Sequence, residues 1–138
     1  MRNPDKYIRK AIVESWQAEN PDIPIFDTQV PISETTPRKF VLVQTISKAR
    51  FAESKDHYEW LGTVQIMSVS VNEKGFVVSS TVDDIEEQLI PVVENIQIPE
   101  FRVSYSKFVS SQPSNIEAPA ETITRKVTTF EMWLNKAD

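Results

Sequence analysis

The sequence predicts a small α+β domain: a mainly antiparallel sheet of about five strands with two helices on one face, in the order α-β-β-β-α-β-β. Three observations predict it. Apolar residues recur at helical spacing over two stretches, about residues 4–18 and 80–93. The strand-like stretches come as neighbouring hairpin partners and do not alternate with helices. At 138 residues the chain has the length of one domain, 1–138, with no internal repeat or composition break.

Composition bounds the function. Hydrophobic residues at 40% and charged residues at 25% are ordinary globular values. The net charge of −5 argues against a general nucleic-acid binder, which needs a basic face. With no cysteine, disulfides, thiolate metal sites and thiol catalysis are excluded. Two glycines, Gly62 and Gly75, leave no glycine-rich phosphate loop. No stretch of about 20 apolar residues or apolar signal core is present, so cytosolic synthesis and no membrane partner are expected.

Asn3-Pro4 reads as an N-cap followed by proline at the first helical position, and Asp5 suits the positive helix end. Tyr7, Ile8, Ala11, Ile12, Ser15 and Trp16 share one face, with Trp16 as a core anchor. Asn20-Pro21 ends this helix. Ile23–Thr28, bracketed by prolines, suits a short edge strand, and Pro31–Pro37 a loop.

The organising stretch is Lys39–Asn72, read as a long hairpin of Lys39–Ser47 with Tyr58–Asn72. Phe40, Val41, Leu42, Val43 and Ile46 place apolar residues on both faces of the first arm, as in a central covered strand. In the second arm Tyr58, Trp60, Val64 and Ile66 share one face, whereas Met67, Val69 and Val71 share the other. Either a bulge near Gly62–Ser68 or a change of surroundings accounts for that switch. A strand of this length spans about 50 Å at roughly 3.3 Å per residue, so part of the hairpin is expected to project. The connection Lys48–His57 reads as a solvated loop or as a contact arm carrying Phe51 amid charges.

Asn72–Gly75 reads as a turn. The second helix starts at Ser80 or Thr81, each followed three residues on by an acid. Val82, Ile85, Leu89 and Val92 or Val93 form its stripe; Asp83, Asp84, Glu86 and Glu87 lie opposite, as a solvated acidic face. Pro91 is expected to end or kink it. Phe101, Val103 and Tyr105 alternate inward on the next strand. Ser110–Ala120 reads as a long loop, functional or mobile. In the last strand, Thr122–Leu134, Ile123 and Val127 share one face and Phe130, Met132 and Leu134 the other.

Catalytic chemistry finds no carrier. His57 is the only histidine, and no spacing makes it a metal ligand or a triad base. No pair among the 20 acids sits in an apolar context that would tune it. The chain therefore reads as a non-enzyme with no cofactor and no metal. Two face switches, an overlong hairpin and long loops favour a domain that completes its core on copies of itself.

The helix Tyr7–Trp16, the proline-flanked Ile23–Pro37 and the apolar strand entered from Pro37 are followed by a polar loop and the long strand Trp60–Val71. The capped helix Ser80–Val93 and the strands Phe101–Tyr105 and Val127–Leu134 complete a pattern covering most of the chain. It resembles the tail-completion, or tail-terminator, proteins of long-tailed bacteriophages; a head-completion protein of the neck has much the same pattern. The resemblance implies a structural virion protein of the tail or neck, made in the host cytoplasm. It implies a ring, usually of six copies, that caps the tail tube and joins it to the head-side connector, with DNA passing through without specific binding. A lumen rich in Asp and Glu would let DNA slide, since each neutralised phosphate adds affinity. The resemblance also implies subunit contacts at Lys48, Arg50, Phe51, Glu53, Lys55, Asp56 and His57, and at Gln112, Asn115 and Ile116. The competing expectation is a cytosolic, non-enzymatic binding domain using its sheet face for a small ligand or peptide.

Overall fold

The computed structural model describes residues 4–27, 38–54, 57–73, 79–117 and 121–136. Helix α1 runs Pro4–Glu19, followed by β1 Ile25–Asp27, β2 Lys39–Ser54 and β3 His57–Glu73. Helix α2 (Ser79–Glu94), β4 (Phe101–Pro113), β5 (Ile116–Glu117) and β6 (Glu121–Lys136) complete it. The strands form one six-stranded sheet in the order β1-β2-β3-β6-β4, with β5 also against β6. Among the described residues, only the β1–β2 pairing is parallel; the others are antiparallel. The expected α+β class and helix positions hold, with one more strand than expected.

Both helices bury their apolar stripes on one sheet face. Ile8, Ile12 and Trp16 of α1 and Val82, Ile85, Leu89 and Val93 of α2 are all at most 2% exposed. They face the sheet residues Val41, Val43, Val64, Ile66, Phe130, Met132 and Leu134. The Trp16 indole donates to the Ile23 carbonyl at 2.8 Å, so the core anchor also holds the chain entering β1. The opposite face carries a second cluster of Phe40, Met67 and Val69, flanked by Phe26, Leu42, Val71, Ile123 and Val127.

The two clusters explain the face switch. β3 pairs with β6 without a break from Glu59↔Asn135 to Glu73↔Glu121, so β3 contains no bulge against β6. Its surroundings change instead: Trp60, Val64 and Ile66 lie under the helices, and Met67 and Val69 lie on the far face. The register shifts fall in β2, at Val43/Thr45 and Arg50/Ala52. The first lets Val41, Val43 and Ile46 all serve the helix-covered core.

Several expectations are corrected. Lys48–Ser54 is not a loop: β2 continues through it, paired to β3 as far as Ser54↔His57. β6 accompanies β3 as far as Glu59, and beyond it Glu53 and Ser54 pair with Tyr58 and His57 with no β6 partner among the described residues. Ser110–Pro113 extends β4, and Ile116–Glu117 forms β5, so the long loop is broken up by strand. Proline at the end of an edge strand is tolerated because its missing N–H faces no ladder. Tyr105 does not point inward with Phe101 and Val103; a register shift after Val103 turns it to the far face. Pro91 does not end α2, which continues to Glu94. The exposed Pro91 sits opposite the buried stripe, and its carbonyl accepts from both the backbone and the side chain of Asn95. Pro31–Pro37 and Lys74-Gly75 lie outside the described residues.

Candidate assembly surfaces

The helix layer is shorter than the sheet. Helices of 16 residues reach about 24 Å at 1.5 Å per residue, whereas strands of 16 or 17 residues reach about 50 Å. The sheet therefore overhangs its helices, and its outer strands offer long edges. β1 pairs only with Val41–Val43 of β2. Among the described residues, β2 beyond Val43 has no strand on its outer side, and neither has β4.

Among the described residues, the exposed large apolar side chains lie on the β4 side: Phe108 at 36%, Val109 at 50% and Ile116 at 41%. Val109 sits at the Phe108/Ser110 register shift, which leaves it without a direct partner on β6. The Phe108 ring meets Phe130 edge-on at 6.3 Å, while its amide points away from the sheet and donates to Glu94 at 3.1 Å. Ser106 donates its hydroxyl to the Val93 carbonyl at 2.8 Å, tying β4 to α2.

Beyond Pro113 the chain is held by Arg125. Its guanidinium donates to the Ser114 carbonyl at 2.9 Å and the Ser114 hydroxyl at 2.7 Å, and the Ser114 amide donates back to the Arg125 carbonyl. Gln112, on β4, is exposed, as are Asn115 and Ile116, which this fixed turn presents. Of the other expected contact residues, Lys48, Arg50, Phe51, Glu53 and His57 lie on paired strands. Their side chains, and Lys55 and Asp56 entirely, lie outside the described residues.

Two polar groups escaped the sequence reading. On the far face, the Tyr105 hydroxyl donates to Glu131 at 2.7 Å, and Lys107 lies 3.8 Å from the same oxygen and 5.1 Å from the Tyr105 ring centre. The hydrogen bond to Glu131, then burial and the Glu131 charge, raise the Tyr105 pKa above its ordinary value. On the helix side, Lys126 bridges Asp83 at 3.0 Å and Glu86 at 3.1 Å, and Glu86 also accepts from Thr128. Glu86 is therefore buried at 8% exposure and not part of a solvated acidic face. Alternation on β6 could have placed Lys126 inward; only the packing of α2 supplies its partners.

Among the described residues no group of three or more His, Cys, Asp or Glu could hold a metal. No helix there is long and apolar enough to cross a membrane. A cleft of about 230 Å³ between α1 and the α2–β4 connection is lined by Tyr7, Lys10, Glu14, Ser15, Gln97 and Glu100.

The fold is shared with solved structures. A chain in the virion of a native gene transfer agent particle matches with a TM-score of 0.76 at 10% identity, over 98% of this chain and 99% of that one. A second solved chain matches with a TM-score of 0.55 at 15% identity, over 93% and 92%. No protein-family model matches the sequence, and no curated protein does.

Proposed function

We propose that this chain is a non-enzymatic structural protein of a phage-like virion. In this reading it closes into a ring, of six copies, that caps the tail tube and joins it to the head-side connector. The observation that carries the reading is the end-to-end match, 98% of this chain and 99% of the other, to a chain of a gene transfer agent virion. The molecule's own shape supports it. An open sheet with two long outer strands on opposite sides suits head-to-tail association, which closes into rings when the rotation permits. The net charge of −5 suits a channel through which DNA slides without being gripped.

The test is tube growth. Purified protein added to polymerising tail-tube subunits should arrest elongation and appear as a ring at tube ends by electron microscopy. Tubes that elongate unchanged, with bare ends, would refute the capping role.

A further inference from the structure

We propose that neighbouring copies join edge to edge, with Tyr105–Phe108 of β4 pairing antiparallel to Ile46–Ala49 of β2 in the next copy. The inference rests on the ring reading and specifies its seam.

Strand direction permits it. From β2 through β3 and β6 to β4 every pairing is antiparallel, so β2 and β4 run in opposite directions. Rotating a copy about an axis along the strands sets its β2 antiparallel to the β4 of its neighbour. The seam thus continues the sheet's own pairing and is heterologous, as a closed ring requires.

The heights also match. The register runs Ile46↔Val64, Val64↔Phe130 and Phe130↔Phe108, and one step on Lys48↔Gly62, Gly62↔Met132 and Met132↔Ser106. Ile46 and Phe108, and likewise Lys48 and Ser106, therefore lie in the same rows. The Phe108 amide points outward to Glu94. In an antiparallel sheet, hydrogen-bonded and non-hydrogen-bonded pairs alternate across a row. The Ile46 main chain in that row therefore also points outward, and so do those of Ser106 and Lys48. Outward donors and acceptors thus stand at equal height on the two outer strands, and in the seam the Phe108 amide exchanges its Glu94 acceptor for the Ile46 carbonyl of the next copy.

Register shifts bracket both segments. On β2 they fall at Val43/Thr45 and Arg50/Ala52, and on β4 at Val103/Tyr105 and Phe108/Ser110. Bulges twist an edge away from further pairing, so they confine the seam to the regular stretch between them and fix its register. Charge favours this order of neighbours. α2, over the β4 side, carries the exposed Asp84, Glu87 and Glu94 and no basic residue. α1, over the β1–β2 side, presents the exposed Lys6, while its Arg9 pairs with Asp27 and its Lys10 with Glu14. The seam brings the exposed acids of one copy towards Lys6 of the next.

The chain has no cysteine, so disulfide mapping is unambiguous. Lys107→Cys protein is mixed with Thr45→Cys, Ser47→Cys or Ala49→Cys protein under mild oxidation, and assembly is followed by mass. The inference expects the strongest link at Ser47, with at least a tenfold preference over Lys107–Lys107 linkage. Rings that form with the strongest link at Thr45 or Ala49, or with none, would overturn this seam and leave the ring reading standing. Lys107–Lys107 linkage alone would mean two-fold β4 pairing and would overturn the seam. Absence of any assembly would overturn both readings.

Discussion

Arg125 on β6 holds Ser114 at three points: two bonds from its guanidinium and one to its carbonyl. The charged side chain converts the turn between β4 and β5 into a fixed platform for Asn115 and Ile116. Hydrogen bonds to charged groups contribute about 1.5–3 kcal/mol when well placed. Arg125→Ala should lower stability by about 1–2 kcal/mol, since the site is only partly buried. It should also raise amide exchange at Ser114 with little change in the β3–β6 ladder. Unchanged exchange at Ser114 would show that the guanidinium is not what holds the turn.

Trp16 fills the core under α1 and holds Ile23 through its indole. Trp16→Ala should destabilise by about 3–5 kcal/mol, the range of large aromatic truncations. Urea unfolding measures it; a loss below about 1 kcal/mol would mean the site collapses around the missing ring.

Lys126→Met removes the cation between Asp83 and Glu86 and leaves the buried Glu86 with only its Thr128 bond. A loss of about 2 kcal/mol near neutral pH is expected. The Lys126 pKa is raised, chiefly by the bond to Asp83, with burial opposing and Glu86 adding. A raised folded pKa means the stabilisation is complete below the unfolded lysine value of 10.5 and is lost as pH rises through the higher folded value. Going up from neutral pH, the gap between native and variant proteins should therefore begin to narrow only above that value. A gap that closes already at pH 8 would contradict this assignment.

The hydroxyls of Ser68 and Thr124, buried on the helix side of β3 and β6, have no hydrogen-bond partner. A buried polar group without a partner is destabilising. Ser68→Ala and Thr124→Val should each leave stability unchanged or raise it by up to about 1 kcal/mol. A loss above 1 kcal/mol in thermal unfolding would reveal a bonded water between strand and helix.

The hairpin end beyond Glu59↔Asn135 has no β6 beside it. Replacing residues 51–58 by a two-residue Asn-Gly turn should preserve the fold, because the β3–β6 ladder stays whole. It should reduce assembly if this end contacts a neighbour. Full assembly by the shortened protein would remove the arm from the interface.

Much of the fold was legible because burial leaves a period. The Ile66-to-Met67 switch marked two separate apolar clusters, and Trp16 announced its place on the α1 stripe. The outer ends of the strands were not legible. Lys48–Ser54 and Ser110–Pro113 lie beyond the helix layer or along an edge, where no one-sided core imposes alternation, so charged and small residues read as loop. The bulges in β2 and β4 were hidden because apolar runs such as Phe40–Val43 suit either register. Of the candidate assembly surface, Ile116 could be read as an apolar residue in a polar stretch. The pairing of Lys126 with Glu86 and the outward Phe108 amide are tertiary facts with no local signal.

Native mass measurement decides whether the proposed ring forms. A discrete species near six times the chain mass of 15.8 kDa, without a ladder of higher species, is expected. A single species at 15.8 kDa that persists at micromolar concentration and low salt would contradict it.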